Sequence, residues 1–356
     1  MRILECDESR RIIKFQLETL EDLYFISLII DPEDTITAWT TRQVRISRGD
    51  GSEERGERVR VKLTLSVKKV EFQRFSDVLR VLGVVEEAPE WLYAKGSYHT
   101  IGLKVGDEVL LCKQFITKYH KRILELAVTR TKVAGVLSVD FEELATGILR
   151  PQGLEIISVI ALPRARKEGS IREHLEISLS KHLHSIIKQL EVKNVGQIIA
   201  VAPQLVLEVL GEQLHGLKIP VKFLKTTEGG LAGIYELLRD DRFKEMIENL
   251  IFSVSREALS ELIETIMKSP ARAALGIEEV KQALQSNSVK LLLVSDEIFL
   301  SDKREEIIGI LRSASDVARD IVVIPPYVEG ADMLRRFDGI AAILYYDAMF
   351  PSNRVR

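Results

Sequence analysis

One strand pattern near the N-terminus constrains the fold more than any other feature of the chain. Over residues 59–67 apolar side chains alternate with polar ones without a break, which predicts a strand with one buried face. After Lys68 and Lys69 the apolar positions move to Val70 and Phe72, so the phase of the alternation shifts by one residue. A β-bulge produces such a shift where a strand bends round a small barrel. We therefore predict a β-rich first domain built around this bent strand.

Further features of the first domain are consistent with a barrel of short strands. Apolar runs such as residues 25–30 are separated by charged or Pro-containing turns, and we interpret these runs as strands. Between Arg45 and Val59 the sequence is mostly charged and contains three glycines. That composition predicts a long, mobile hairpin loop.

The rest of the chain separates into two further domains. Three apolar runs after residue 131 precede a helix, a strand, a helix and a strand, and the order βββαβαβ predicts an RNase-H-like α/β domain. The final segment alternates helices and strands, as in an α/β sandwich. We predict a mixed α/β protein of three domains: a β-barrel over residues 1–130, a central domain over 131–268 and a C-terminal domain over 269–356.

Composition excludes disordered and membrane-spanning proteins. The chain is 46% hydrophobic and 29% charged, and no apolar run approaches the roughly 18–20 residues that a membrane span needs. With no signal sequence recognised, we expect a cytoplasmic protein. Cys6 and Cys112 lie in apolar stretches, which predicts two small buried thiols in a reducing compartment.

Two segments of the first domain are basic although the net charge of the chain is -3. Residues 42–62 hold seven Arg and Lys against four acids, and residues 113–132 hold six against one. Because guanidinium groups bind phosphates and stack on bases, we predict that both segments face RNA, with solvated loop charges as the alternative. The predicted nucleic-acid-binding residues are Arg42, Arg45, Arg48, Arg55, Arg58, Arg60, Lys118, His120, Lys121 and Arg122.

No set of residues in the sequence defines a catalytic site. Asp31, Glu33 and Asp34 are candidate ligands for Mg²⁺ or Mn²⁺ if the protein cleaves RNA, although surface acids usually carry no such role. A basic loop of the central domain contains Arg164, Arg166 and Lys167, which on their own are equally consistent with solvated charges. Residues 226–231 are glycine-rich but lack the spacing of a phosphate loop, so we predict the flexible start of a helix there.

Five motifs are spread over nearly the whole chain: TRQVR at residues 41–45, RVRVKLTL at 58–65, GSYHTI at 96–101, GGLAGIYELL at 229–238 and GIAAIL at 339–344. In order and spacing these motifs resemble the archaeal Pelota family. The resemblance implies an Sm-like first domain followed by two domains shared with class-1 release factors. It also implies a tRNA-shaped factor that enters the A site of stalled ribosomes with an elongation-factor-type GTPase, in archaea elongation factor 1 alpha. An ABC-type recycling ATPase then acts with it in subunit dissociation.

Two departures refine this expectation. The chain has no Gly-Gly-Gln, the tripeptide with which release factors admit water to the peptidyl-tRNA ester, so we expect no peptidyl-tRNA hydrolysis. Residues 201–205 read VAPQL where many family members carry Gly-Pro-Phe, which leaves the GTPase contact open. The sequence favours a monomeric, non-enzymatic rescue factor that needs no cofactor. The alternatives are a divalent-metal-dependent endoribonuclease that cuts stalled mRNA and a general RNA-binding adaptor.

Overall fold

The first domain is a seven-stranded, strongly bent antiparallel sheet with two helices. The computed structural model describes residues 1–47, 53–128, 133–163, 170–193, 195–240, 253–325, 328 and 330–348. The strands follow the order β1-β2-β7-β3-β4-β5-β6 in the sheet. Along the chain the elements are β1 (Arg2–Asp7), β2 (Ile12–Gln16), α1 (Leu20–Ile29), β3 (Thr35–Ser47), β4 (Glu53–Glu71), β5 (Leu79–Glu87), β6 (Tyr98–Leu103), β7 (Glu108–Cys112) and α2 (Lys118–Val128).

The bend in β4 lies where the sequence predicts it. Lys68 and Lys69 are both exposed, and the pairing of β4 with β5 shifts its register between Val67 and Lys69. Beyond the shift Phe72 is buried again, so the predicted β-bulge is confirmed. The predicted loop between Arg45 and Val59 is too long, because β3 and β4 remain paired as far as Ser47 and Glu53.

The interpretation of residues 25–30 as a strand is wrong, because most of this run belongs to helix α1. Eight of the ten residues of α1 are buried, so the helix has no polar face that would reveal its period. The backbone N–H of Thr19 donates to the Asp22 carboxylate at 3.0 Å and marks the helix start. Helix α2 was also not predicted. Of the two cysteines, Cys6 is exposed and Cys112 is half-buried, so the prediction of two buried thiols is wrong as well.

The central domain has the predicted element order. Its five-stranded sheet, in the order β10-β9-β8-β11-β12, is antiparallel through β10, β9 and β8, and β11 then pairs in parallel with both β8 and β12. The elements are β8 (Val133–Val139), β9 (Glu143–Arg150), β10 (Gly153–Ala161), α3 (Ile171–Val192), β11 (Val195–Ala202), α4 (Gln204–Gln213), β12 (Val221–Lys225) and α5 (Gly230–Leu237).

The third domain is a four-stranded sheet with helices, in the strand order β13-β16-β14-β15. Its elements are α6 (Ser253–Lys268), β13 (Ala273–Leu275), α7 (Ile277–Gln285), β14 (Val289–Ser295), α8 (Arg304–Val317), β15 (Asp320–Ile324), α9 (Ala331–Arg336) and β16 (Ile340–Leu344). From Glu257 onward α6 belongs to the same compact unit as this sheet, and Lys290 on β14 forms a 2.7 Å ion pair with Glu261 on α6. The predicted boundary after residue 268 therefore lies at the C-terminal end of α6, although this helix packs with the third domain.

The first and third domains form one compact unit, and the central domain forms another. One hydrophobic core runs through the first unit, from residues of the N-terminal sheet such as Ile13 and Leu65 to Phe299 and Ile307 of the third domain. The predicted mixed α/β, three-domain fold is confirmed. None of the helices in the described parts of the chain is long and apolar enough to cross a membrane.

Candidate nucleic-acid interface

The outward face of the β3–β4 pair carries three free cations. Thr41 pairs with Arg60 and Gln43 pairs with Arg58 in the antiparallel register, so directly opposite residues share one face of the sheet. Arg58, Arg60 and Lys62 are all exposed. Among the described residues, none of the three makes a salt bridge or a side-chain hydrogen bond. These charges are therefore available to an external anion.

An aromatic ring lies among these cations. Trp39 pairs with Lys62 across the two strands, and 48% of its surface is exposed. The guanidinium carbon of Arg60 lies 5.4 Å from the centroid of the indole ring, within the range of a cation–π interaction. Exposed aromatic rings next to unpaired guanidinium groups are the two components with which proteins bind single-stranded nucleic acid.

Arg42, the first residue of the predicted set, lies on the opposite side of the strand. Its register partner is the half-buried Val59, and its guanidinium donates to the Ser97 hydroxyl at 2.7 Å. Two residues earlier on the same side of β3, Thr40 Oγ1 and His99 Nε2 are 3.0 Å apart. Burial and the nearby Arg42 charge lower the pKa of His99. Arg42 and His99 therefore link β3 to β6 and to Ser97 just before it. The structure gives Arg42 a structural role instead of the predicted contact with nucleic acid.

The second predicted basic segment does not form an open basic surface. His120 is only 3% exposed, so the prediction that it contacts nucleic acid is wrong. Lys118 donates to the carbonyl of Ala318 in the third domain, at 3.2 Å. Lys121 pairs with Glu8 at 2.7 Å, and Arg122 pairs with Glu125 at 3.3 Å. Each of these charges therefore has a partner within the chain, and helix α2 packs against α1 and against β15 and α8 of the third domain.

The candidate metal ligands are held by a buried lysine. Asp31 and Asp34 are 2% and 1% exposed, and Lys113 Nζ lies 2.6 Å and 2.7 Å from their carboxylates. The same ammonium donates to the carbonyl of Ile29 at the end of α1. Glu33 is exposed and does not take part in these ion pairs. A cation could reach Asp31 and Asp34 together only by displacing Lys113.

The protonation of this cluster follows from its surroundings. Burial opposes ionisation of Asp31, but the Lys113 charge and the His120 hydrogen bond outweigh burial and lower the pKa of Asp31. At Asp34 burial prevails over the same lysine and raises the pKa. Burial and the Lys113 charge lower the pKa of His120, whose Nδ1 accepts from the backbone N–H of Thr117 at 3.1 Å. His120 Nε2 lies 2.9 Å from Asp31, so a neutral ring carries its proton there. Among the described residues no three His, Cys, Asp or Glu side chains are arranged to hold a metal ion.

A polar interface between the first and third domains was missed by sequence reasoning. The buried guanidinium of Arg304 donates to the carbonyls of Ser27 and Ile30 at the end of α1, at 2.7 Å and 2.6 Å. Asp296, 1% exposed, accepts from Tyr24 at 3.0 Å and from Arg74 at 3.2 Å. Burial raises the pKa of Asp296 to about 6, although both partners favour the anion. Residues more than 200 positions apart meet here, which no local pattern could indicate.

Several of the predicted basic residues lie where the structure gives no description of their side chains. Arg164, Arg166 and Lys167 lie outside the described residues, as does Arg48, and the side chains of Arg45 and Arg55 are also outside them. Gly229 and Gly230 begin helix α5 as predicted, but not because the segment is loose. A Cβ on Gly229 would collide with the Val139 carbonyl, and Gly230 has a φ of +56°.

Comparison with known proteins places the chain among archaeal relatives. The family model described as the Pelota N-terminal domain matches residues 1–128, and the model described as eRF1 domain 3 matches residues 252–348. A protein pelota homolog from Thermofilum pendens is 34% identical over 350 residues, covering 97% of this chain and 99% of its own. One from Saccharolobus islandicus is 30% identical with the same coverage. The crystal structure of the Thermoplasma acidophilum Pelota protein matches 98% of this chain and 100% of its own with a TM-score of 0.68 and 18% identity.

Proposed function

This chain belongs to the pelota family, and from that premise we propose that it is an mRNA-surveillance and ribosome-rescue factor. It enters the A site of a stalled ribosome as a tRNA-shaped protein and promotes dissociation of the subunits. The observation that carries the proposal is the free basic face of Arg58, Arg60 and Lys62 on the domain that, in this family, replaces a decoding domain. Exposed, unpaired cations supply the phosphate contacts that ribosomal RNA and mRNA require.

The chemistry of rescue differs from that of termination in one respect. The chain contains no Gly-Gly-Gln, and its Gly229–Gly230 pair is buried against Val139 and Glu143 at the start of α5. A glycine pair packed in this way cannot serve as an exposed tip that positions water at an ester. We therefore propose that the protein leaves peptidyl-tRNA intact.

The proposed partners follow from the family. They are the stalled ribosome and its mRNA, an elongation-factor-type GTPase such as archaeal elongation factor 1 alpha, and an ABC-type recycling ATPase. We propose that the protein acts in the cytoplasm as a monomer, is not itself an enzyme and needs no cofactor. The buried ion pairs of Asp31 and Asp34 with Lys113 argue against a metal site at these positions.

A reconstituted ribosome tests this proposal. Ribosomes stalled on a truncated, end-labelled mRNA and carrying labelled peptidyl-tRNA are incubated with the protein, the GTPase, the ATPase and Mg²⁺. The expected result is splitting of the subunits with both labels intact, and weaker splitting by the R58A/R60A/K62A variant than by the control K121A. Released peptide would contradict the absence of hydrolysis. Shortened mRNA that depends on the protein would instead support the endoribonuclease alternative.

A further inference from the structure

Trp39 is an exposed aromatic side chain that the fold of the first domain does not explain. Indole rings usually bury most of their surface, yet Trp39 exposes nearly half of its own on the outward face of β3. Its strand neighbour Ala38 points inward and is buried, as the alternation of the strand requires. The core of the domain is therefore complete without the indole, and the ring is left for another purpose.

Within the β3–β4 strand pair the charges near Trp39 are all positive, and on the neighbouring strand β7 the acid Glu108 pairs with Lys14 at 3.6 Å. Arg60 packs on the indole, and Lys62 lies directly across the strand pair from it. Arg58 lies two residues before Arg60, on the same face of β4. No residue in the register pairs from Trp39–Lys62 to Gln43–Arg58 is acidic, and the first acid beyond them on β4 is the exposed Glu57. A ligand of this face must therefore combine a planar apolar group with negative charge.

We propose that Trp39 and Arg60 form a stacking platform for an unpaired RNA base, with Arg58 and Lys62 neutralising the adjacent phosphates. The proposal deepens the proposed function, on which it rests, by assigning single-stranded RNA to this face. An unpaired nucleotide supplies both a π-face for the indole and a phosphate for each neighbouring cation. A duplex fits less well, because its bases are stacked inside and only its phosphates are accessible.

The chain carries its own reporter for this contact. It has two tryptophans, so the W91F variant leaves Trp39 as the only indole. Titration of W91F with a short oligouridine RNA is expected to quench the Trp39 fluorescence saturably, and a duplex of matched length is expected to quench it much less. The matched control is W39F, which retains Trp91. Trp91 is 55% exposed but lies beside Glu90 and is expected to remain unquenched.

Affinity gives the second measurement. The W39A variant is expected to bind oligouridine about 5- to 150-fold more weakly than the wild-type protein, which corresponds to the loss of one base–aromatic stack. W39F is expected to retain most of the affinity because a phenyl ring still stacks. Thermal unfolding of both variants shows that each is folded. Equal affinity of W39A and wild type, or quenching by an acidic peptide but not by RNA, would overturn the assignment and in the second case identify a protein-docking face.

The two proposals fail in different ways. If W39A splits ribosomes as well as the wild type does and also binds oligouridine normally, the stacking platform is refuted while the rescue function stands. If oligouridine quenches Trp39 as expected but the wild-type protein does not split stalled ribosomes, the stacking platform stands and the proposed rescue function fails.

Discussion

The two basic segments of the first domain are alike in sequence and opposite in structure. Residues 113–132 have an excess of five positive charges and residues 42–62 an excess of three. By charge alone, residues 113–132 would be the stronger candidate for RNA binding. In the structure, the described cations of residues 113–132 are bound by groups within the chain. Three of those in residues 42–62 remain exposed and unpaired within the described part of the chain. Accessible charge, and not charge excess, identifies the candidate interface.

The largest expected effect separates the structural role of residues 113–132 from binding. Replacing Lys113 by methionine leaves Asp31 and Asp34 buried beside each other without a counter-charge, which is expected to destabilise the protein by about 3–5 kcal/mol. Chemical denaturation measures the loss. RNA affinity of the folded fraction is expected to stay unchanged, and a stable variant with weakened RNA binding would reverse the two roles.

The second prediction concerns Asp296, which lies at the interface between the first and third domains. The pKa of Asp296 is about 6 in the folded protein against 3.8 for an ordinary aspartate, so the folded state holds this proton more tightly. Its contribution to the free energy of unfolding is therefore present below pH 4 and is lost as pH rises to about 6. Asp296→Asn removes this dependence. The stability difference between wild type and variant is expected to change by up to about 3 kcal/mol between pH 4 and pH 7. A constant difference in urea titrations at the two values would contradict the assignment.

The third prediction tests the free cations. The R58A/R60A/K62A variant is expected to bind single-stranded RNA at least about tenfold more weakly. The slope of log K against log salt concentration is expected to fall by roughly one for each lost phosphate contact. Its unfolding free energy is expected to change little, because these side chains make no ion pair within the described residues. Fluorescence anisotropy over a range of salt concentrations measures the RNA affinity and its salt dependence. An unchanged salt dependence would exclude phosphate contacts at this face.

The smallest effect is expected at the exposed pair of the other segment. Lys121 and Glu8 are both about half-exposed or more, so Lys121→Ala is expected to change the free energy of unfolding by less than about 1 kcal/mol. RNA affinity is expected to remain within about twofold of the wild type, since the charge of Lys121 is already paired with Glu8. Anisotropy under the conditions used for the triple variant provides the comparison. A loss similar to that of the triple variant would restore the second segment as part of the interface.

The sequence predicted the fold wherever one local pattern determines it. The bulge after Val67, the order of the central domain and the alternation of the third domain were all read correctly, because strand period and helix period are local properties. Helix α1 was misassigned because it is buried on nearly all sides, and burial removes the polar face that shows the helical period.

The candidate site was predicted only in part, for a different reason. Arg58 and Arg60, which we predict to bind nucleic acid, are exposed in the structure. His120 is buried, and the Arg42 guanidinium donates to Ser97. Whether a cation is free depends on partners such as Asp31, Ala318 and Glu8, which are distant in sequence. Trp39 was missed because a single tryptophan in a strand indicates a core residue until its exposure is known.

Site-specific crosslinking to a stalled ribosome tests the assignment of the interface most directly. In one variant a photoreactive amino acid replaces Thr41, which lies across from Arg60, so every cation of the face stays in place. In a second variant it replaces Lys121 on helix α2. The expected result is crosslinking to ribosomal RNA or mRNA from position 41 and not from position 121. Crosslinking to RNA from position 121 alone, or equally from both positions, would contradict the assignment of the free cations as the RNA-facing surface.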